Sequence, residues 1–260
     1  MILDDIVAYK RTELAAHKQQ VPLSQLQDMP LFHTTPPPFL QTLRTWPGRA
    51  IIAEVKRASP SKGVIRADFE PLSLAKTYEA GGAAAISVLT ERKFFQGNLE
   101  FLPLIRHQVV RPLLRKDFLV EPYQVYEARA FGASAILLIV AILSDSQLKE
   151  LSALAASLRL DCLVEVHDEE ELGRAVSCGV QLLGINNRDL RTFHTTIETS
   201  ERLVRLVPPG VTVVSESGLS RSEQLTRLEE LGVRAFLIGE TFMAAPDPSV
   251  PLRALIRGEG

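Results

Sequence analysis

The chain has 260 residues, 46% of them hydrophobic, enough for one large core, and its 29 basic and 31 acidic residues leave a formal charge of -2. That balance gives a polyanion no global attraction, so nucleic acid is not expected as a partner and any anion site must be built locally. Cys162 and Cys178 lie in apolar contexts without metal-ligand spacing, which suits a reducing compartment.

The chain opens MILDDIVAYKRTEL, with acidic residues where a secretory signal needs basic ones, and a cytoplasmic protein is expected. Residues 1–45 read as an N-terminal helical extension: Ile2, Ile6, Leu14 and Ala15 are interspersed with charge until Pro30 and the run Pro36-Pro37-Pro38 break the pattern. From about residue 50, strand-like apolar runs alternate with amphipathic stretches, and residues 46–260 are assigned to one catalytic domain built on a parallel sheet. The runs are AIIAEVK, AAISVLT, PLLRKDF, SAILLIV, DCLVEV, LLGINN, TVVSES and AFLIGE. Between them, stretches such as DEEELGRAVSCG and SRSEQLTRLEELG open on Asp or Ser and end on Gly, the signatures of helix caps. Eight such units predict an α/β fold of the (β/α)8 TIM-barrel type, which typically occupies about 250 residues. The rival, an open doubly wound sheet, favours a G-x-G-x-x-G turn after the first strand, where this chain has KRASPSKG. The longest apolar run, AILLIVAIL, is too short to span a bilayer, and no membrane association is expected.

Polar residues gather at one end of these strands. The first begins Ile51-Ile52 and closes with Glu54 and Lys56, two apart and so on one face; the third begins Leu113-Leu114 and reaches Lys116 and Asp117. The fifth reaches Glu165, the sixth ends Asn186-Asn187-Arg188 and the seventh ends Ser215-Glu216-Ser217-Gly218. A single Lys–Glu pair is as well explained by a structural ion pair as by catalysis. Five strands bringing charge to one rim instead predict a site where opposite charges tune each other's proton affinity. Alternation alone leaves open whether Glu216 or Ser217 faces the axis.

The loop after the second strand, ERKFFQGN, belongs to the same rim, with Phe94 and Phe95 serving either as an apolar wall or lid over a bound ring or as packing beneath the next helix. The seventh and eighth strands, ending SESGLS and LIGET, each carry a glycine before a helix. In many barrels these two loops bind phosphate through backbone amides. Ser59, Ser61 and Lys62 in the first loop are further donor candidates.

IIAEVKRASPSKG, SVLTERKFFQGN, RKDFLVEPYQVYEARAFGA, LVEVHDEEEL, GINNRDL, SESG and IGETFM resemble, in order, the strand-end motifs of the indole-3-glycerol phosphate synthase family, and ILDDIVAYKRTEL resembles its helical extension. The resemblance implies conversion of 1-(2-carboxyphenylamino)-1-deoxyribulose 5-phosphate to indole-3-glycerol phosphate in tryptophan biosynthesis. It implies a carboxy-lyase with a small phosphorylated substrate, no metal or organic cofactor, and no obligate protein partner. Carried over residue by residue, it makes Lys116 the general acid of ring closure and Glu165 its partner in dehydration, with Lys56 holding anionic groups or sharing the acid role. Glu54, Asn186 and Glu216 fill the remaining polar catalytic positions. Phosphate is assigned to Ser217, Gly218, Gly239, Lys56 and Glu240, the last through its backbone amide with its carboxylate turned away. The anthranilate ring is assigned to Pro60, Phe95, Phe118 and Leu137, with Ser59 nearby and Arg188 in a less defined substrate role. On the residues alone, a Schiff-base aldolase using Lys56 or Lys116, a sugar-phosphate isomerase and a phosphometabolite-binding barrel remain alternatives.

Overall fold

The computed structural model describes residues 2–190 and 192–259. Eight parallel strands, β1 Ala50–Val55, β2 Ala85–Leu89, β3 Leu113–Lys116, β4 Ala135–Ile139, β5 Asp161–Val166, β6 Leu182–Asn186, β7 Thr212–Glu216 and β8 Ala235–Ile238, close into a barrel in which β1 pairs with both β2 and β8. The parallel barrel is the arrangement expected from the βα alternation. Every strand carries apolar residues on both faces because the barrel packs inside and the helices pack outside.

Alternation sorts the strand residues into two apolar sets. Ala50, Ile52, Ala85, Leu114, Leu137, Leu163, Val214 and Leu237 belong to the inner set, while Ile51, Ala53, Ile86, Leu113, Ile136, Val164, Val213 and Phe236 pack with the helices. Continuing the inner series by twos along each strand reaches Glu54, Lys56, Lys116, Glu165, Asn186, Glu216 and Gly239. The register reinforces this, pairing Asn186 with Glu216 across β6 and β7. Glu216 therefore faces the axis. Ser217 leaves the strand in the left-handed region with φ 69, followed by Gly218 with φ 72.

Among the described residues three α-helices precede β1: α1 Ile2–Gln20, α2 Leu23–Gln27 and α3 Phe39–Thr45, with a 3-10 turn at Pro30–His33 between the last two. Helix α1 has Asp4 and Asp5 in its first turn and His17 and Lys18 in its last, which complements the helix dipole. Helix α3 closes the bottom of the barrel. Its Phe39 and Leu43 are fully buried in the inner set, the Leu40 amide donates to Asp161 at 2.8 Å, and Arg44 Nε donates to Thr212 Oγ1 at 2.8 Å. Asp161 and Thr212 are the first residues of β5 and β7, so the plug is pinned to strand starts.

Helices α4 Pro71–Gly81, α5 Phe101–Arg106, α6 Pro122–Ala130, α7 Asp145–Ser157, α8 Glu169–Ser177, α9 Glu198–Leu203, α10 Ser222–Glu230, α11 Glu240–Met243 and α12 Ser249–Arg257 complete the fold. Their starts follow the cap chemistry of the sequence: Ser144 and Gln147 form a capping box on α7, and Asp168 accepts the Glu171 amide on α8. No helix among the described residues is long and apolar enough to cross a membrane.

Candidate active site

At the carboxyl ends of the strands the barrel opens into a cavity of about 730 Å³. The structure brings every candidate residue of the sequence to it: Glu54, Lys56, Ser59, Pro60, Phe95, Lys116, Phe118, Leu137, Glu165, Asn186, Arg188, Glu216, Ser217, Gly218, Gly239 and Glu240. The strand residues among them converge because inward positions lie on strands that all run the same way, and the others come from the loops that follow those strands.

Lys116 is the centre of the charged floor. Its Nζ lies 3.0 Å from Glu165 Oε2 and 3.4 Å from Glu216 Oε2, while Lys56 Nζ lies 2.7 Å from Glu54 Oε1. Burial alone would lower the proton affinity of Lys116, but Glu165, Glu216 and Glu54 outweigh it and hold the ammonium well above the ordinary lysine range. The two flanking glutamates differ. Burial pushes Glu216 up to about 8, helped by Glu165 and Glu54 and opposed by Lys116. Burial also opposes ionisation of Glu165, yet Lys116 and His167 overcome it and keep this carboxyl well below the usual range.

Two glycines make room for these carboxylates. A Cβ on Gly184 would stand 2.2 Å from Glu216 Oε1, and one on Gly239 would stand 2.3 Å from Glu54 Oε1. Both positions face inward, where only a missing side chain leaves space for a long acid from the adjacent strand. Gly239 therefore has a packing role beyond the phosphate loop to which the sequence assigned it.

The walls of the cavity differ in character. Phe95 and Phe118 meet with ring centroids 6.1 Å apart on the side of β2, β3 and β4, near Leu137. Across the barrel, Ser217, Gly218, Gly239 and Glu240 line the ends of β7 and β8. There Arg188 donates to Ser61 Oγ at 2.9 Å and to Glu240 Oε2 at 3.2 Å, and Lys62 lies 3.5 Å from Glu240 Oε1. The Glu240 side chain is thus directed to Arg188 and Lys62. Asn186 Oδ1 accepts the Arg188 amide at 3.0 Å, tying the end of β6 to this side of the rim.

The loop 91–97 divides its polar and aromatic residues between two tasks. The buried Glu91 carboxylate accepts the amides of Lys93, Phe94 and Phe95 at 3.1, 2.7 and 3.0 Å, so it shapes the loop from beneath. Phe95 is thereby turned into the cavity, while Phe94 packs edge-on against Tyr9 of α1 and Lys93 sits 4.7 Å over the same tyrosine ring. Phe94 thus packs on the N-terminal helix and not beneath the helix that follows the loop, while Phe95 lines the cavity.

Several cavity residues carried no signal readable by strand-end chemistry. Ile2, Leu3 and Ile6 of α1 line it, as do Phe193 and Thr195 of the loop after β6. The helix is held there through the outward face of β3, where buried Lys10 pairs with Asp117 at 3.0 Å and with Glu13 at 2.7 Å. Asp117 also receives Thr90 and Arg115, and Arg115 reaches Glu127 at 2.6 Å. The segment RKDF thus sends Lys116 and Phe118 into the cavity, and Arg115 and Asp117 outward into this buried network. His167 continues the inward series of Glu165 by two, and its Nε2 lies 3.3 Å from Glu165 Oε1.

A closed parallel barrel with paired lysines and glutamates at the carboxyl ends of its strands defines a (β/α)8-barrel enzyme equipped for proton transfer. Solved barrels of low sequence identity share the fold: a KGPDC from Streptococcus mutans superposes with a TM-score of 0.61 at 14% identity, covering 82% of this chain and 97% of that one. A 3-hexulose-6-phosphate synthase gives a TM-score of 0.61 at 14% identity over 81% of this chain and all of its own. Sequence relatives are far nearer. The indole-3-glycerol phosphate synthase of Acetivibrio thermocellus is 48% identical over 97% of this chain and 98% of its own, and that of Polaromonas sp. is 49% identical over 98% and 97%. The indole-3-glycerol phosphate synthase family model matches residues 3–255. The chain belongs to the indole-3-glycerol phosphate synthase family, and it is a carboxy-lyase.

Proposed function

We propose that the cavity converts 1-(2-carboxyphenylamino)-1-deoxyribulose 5-phosphate to indole-3-glycerol phosphate, with Lys116 as the general acid of ring closure and Glu165 as the base of dehydration. The observation carrying this reading is the position of Lys116 Nζ, 3.0 Å from one buried glutamate and 3.4 Å from another, between an apolar wall and a polar one. The anthranilate ring lodges against Phe95, Phe118, Leu137 and Pro60, with Ser59 at its edge. The phosphate lodges across the barrel on Ser217, Gly218, Gly239 and the Glu240 amide, with charge from Lys56 and with Arg188 closing that side.

Ring closure joins the aromatic carbon bearing the carboxylate to the ketone carbon, and the ketone oxygen takes a proton from Lys116. Loss of CO2 returns its bonding pair to the ring system. Dehydration expels the new hydroxyl as water with a second proton, while the adjacent CH2 gives one proton to Glu165. Two protons enter and one leaves. The net uptake of one balances a carboxylate departing as neutral CO2.

Glu216, with its carboxyl raised by burial to about 8, holds a proton at neutral pH and is suited to deliver the second one. Glu54 orients Lys56, and Asn186 orients the substrate hydroxyls. A Schiff-base mechanism would need a neutral amine, whereas the three glutamates around Lys116 keep it charged. Purified protein mixed with the deoxyribulose phosphate is expected to develop indole fluorescence, and borohydride added during turnover is expected to trap no covalent adduct. No product at any pH across the neutral range would overturn the activity, and a trapped lysine adduct would overturn the mechanism.

A further inference from the structure

Glu165 and Glu216 flank the same lysine, but their other neighbours differ. Glu216 has no hydrogen-bond partner for Oε1, which lies buried beside Gly184. Glu165 Oε1 faces the His167 ring, with Nε2 at 3.3 Å. The ring is clamped from behind. Glu171 Oε2 lies 2.9 Å from His167 Nδ1 and accepts the His167 backbone amide at 2.8 Å, while the Glu171 amide is itself held by Asp168 at 2.9 Å.

We infer that His167 is a positioning residue: as an imidazolium clamped by Glu171, it holds Glu165 as the standing carboxylate beside Lys116 and leaves the proton of the pair on Glu216. This rests on the reading of Lys116 as acid and Glu165 as base. The charged groups around the imidazole are Glu165 from β5 and Glu171 from α8. Those around Glu165 are Lys116 from β3, Glu216 from β7 and His167 itself, with Glu54 from β1 acting on the same floor. Glu165 and Glu171 together outweigh burial and raise His167 to about 10, so its charge persists through the neutral range.

The consequence appears when Lys116 gives up its proton. A glutamate facing a neutral amine in a dry pocket would recapture a proton and cease to be a base. The second cation on its far oxygen prevents that, so Glu165 remains ionised for the following step. Glu216, with no such cation, keeps its proton. Two identical side chains thus acquire opposite tasks from one neighbour.

His167→Asn retains a donor near the Nδ1 position for Glu171 and removes both the charge and the contact at Glu165. His167→Gln retains a neutral donor toward Glu165, and Glu171→Gln loosens the clamp. Turnover of the three variants is measured against pH with melting curves on the same preparations. His167→Asn is expected to lower kcat about tenfold at neutral pH with KM within threefold, and to move the acidic limb of the kcat profile upward by about one pH unit, since an opposite charge at this distance lowers a carboxyl by 1–3. The other two variants are expected to move it the same way by less. Carboxyl 13C titration of Glu165 in wild type and His167→Asn, without substrate, reads the same displacement independently of activity.

An unmoved limb and an unmoved Glu165 titration in folded variants would overturn the inference, whatever the turnover. Loss of turnover with a lower melting temperature but an unchanged profile would make His167 merely structural and would overturn it equally. A displaced Glu165 titration in a protein that never turns over the deoxyribulose phosphate would uphold the electrostatic role and refute the proposed reaction. If His167→Asn fails to fold, the same readings on Glu171→Gln decide.

Discussion

Replacing Lys116 by Met keeps most of the stem and removes the ammonium, which separates its chemical role from its packing role. Loss of a positioned general acid typically costs about 10² to 10⁴ in rate, roughly 3–5 kcal/mol of barrier. Lys116→Met is therefore expected to lose turnover by that factor while binding substrate within a few-fold, as measured by single-turnover rates and ligand titration. Near-normal turnover in a folded variant would remove Lys116 from the chemistry. The two glycines of the proposed phosphate site are expected to fail differently. In Gly239→Ala the new methyl meets the Glu54 carboxylate, pushing it off Lys56 at 2.7 Å, so kcat should fall along with stability, by about 1–3 kcal/mol for an overpacked site. In Gly218→Ala the residue must hold φ 72 and meets Thr195 Cγ2 at 2.6 Å, so the loop of the proposed phosphate site shifts and KM should rise more than kcat falls. Equal effects on kcat and KM in the two variants would argue that neither neighbour matters.

The helices before the barrel do separate jobs. Helix α3 plugs the barrel bottom with fully buried Phe39 and Leu43, so removing residues 1–45 exposes the inner core as well as the cavity wall. Removing residues 2–20 alone takes away Ile2, Leu3 and Ile6 at the mouth but strands Asp117, Arg115 and Glu127 without Lys10 and His17. Lys10→Met is the gentler test. Asp117 keeps Arg115 but loses its nearest cation, and breaking a buried pair costs up to about 3–5 kcal/mol. The expected result is a lower melting temperature and a raised KM with kcat much less affected, because α1 supplies apolar wall and none of the floor charges. A kcat loss as large as that of Lys116→Met, with KM unchanged, would mean that the helix positions the acid itself.

The proton inventory of the site should appear in the stability of the whole molecule. Glu216 is raised from 4.5 to about 8, so the folded state keeps a proton that the unfolded chain releases. Its contribution is complete below the unfolded value and is lost as pH rises through that window. His167, raised from 6.5 to about 10, acts in the same sense at higher pH. Glu165, held down, contributes above its unfolded value, and that contribution fades only in acid. One proton is worth at most about 1.4 kcal/mol per pH unit across its window. Glu216→Gln, neutral at every pH, is therefore expected to gain on the wild type as pH rises from about 5 to about 8. Urea midpoints at the two ends measure this, and a constant difference would show that Glu216 does not carry the proton.

Much of this could be read along the chain. Strand runs, cap residues and the absence of a dinucleotide turn specify a barrel by local rules, and spacing by two puts Glu54 with Lys56 and Lys116 with Phe118 on common faces whatever the partners. The strand ends therefore revealed the set of polar residues at the rim. They could not rank them. Glu165 and Glu216 are the same side chain at equivalent places, and their different neighbours give them opposite shifts: both are buried beside Lys116, but His167 lowers Glu165 while Glu165 and Glu54 help to raise Glu216. The same limit hid the space that Gly184 and Gly239 leave for acids on other strands and the task of Glu91 beneath its loop. Periodicity encodes which way a side chain faces, so the sequence by itself determined the barrel and the inventory of its site. Charge and packing act through space between strands far apart in the chain, so only the tertiary structure decided which carboxyl is pushed up and which is held down.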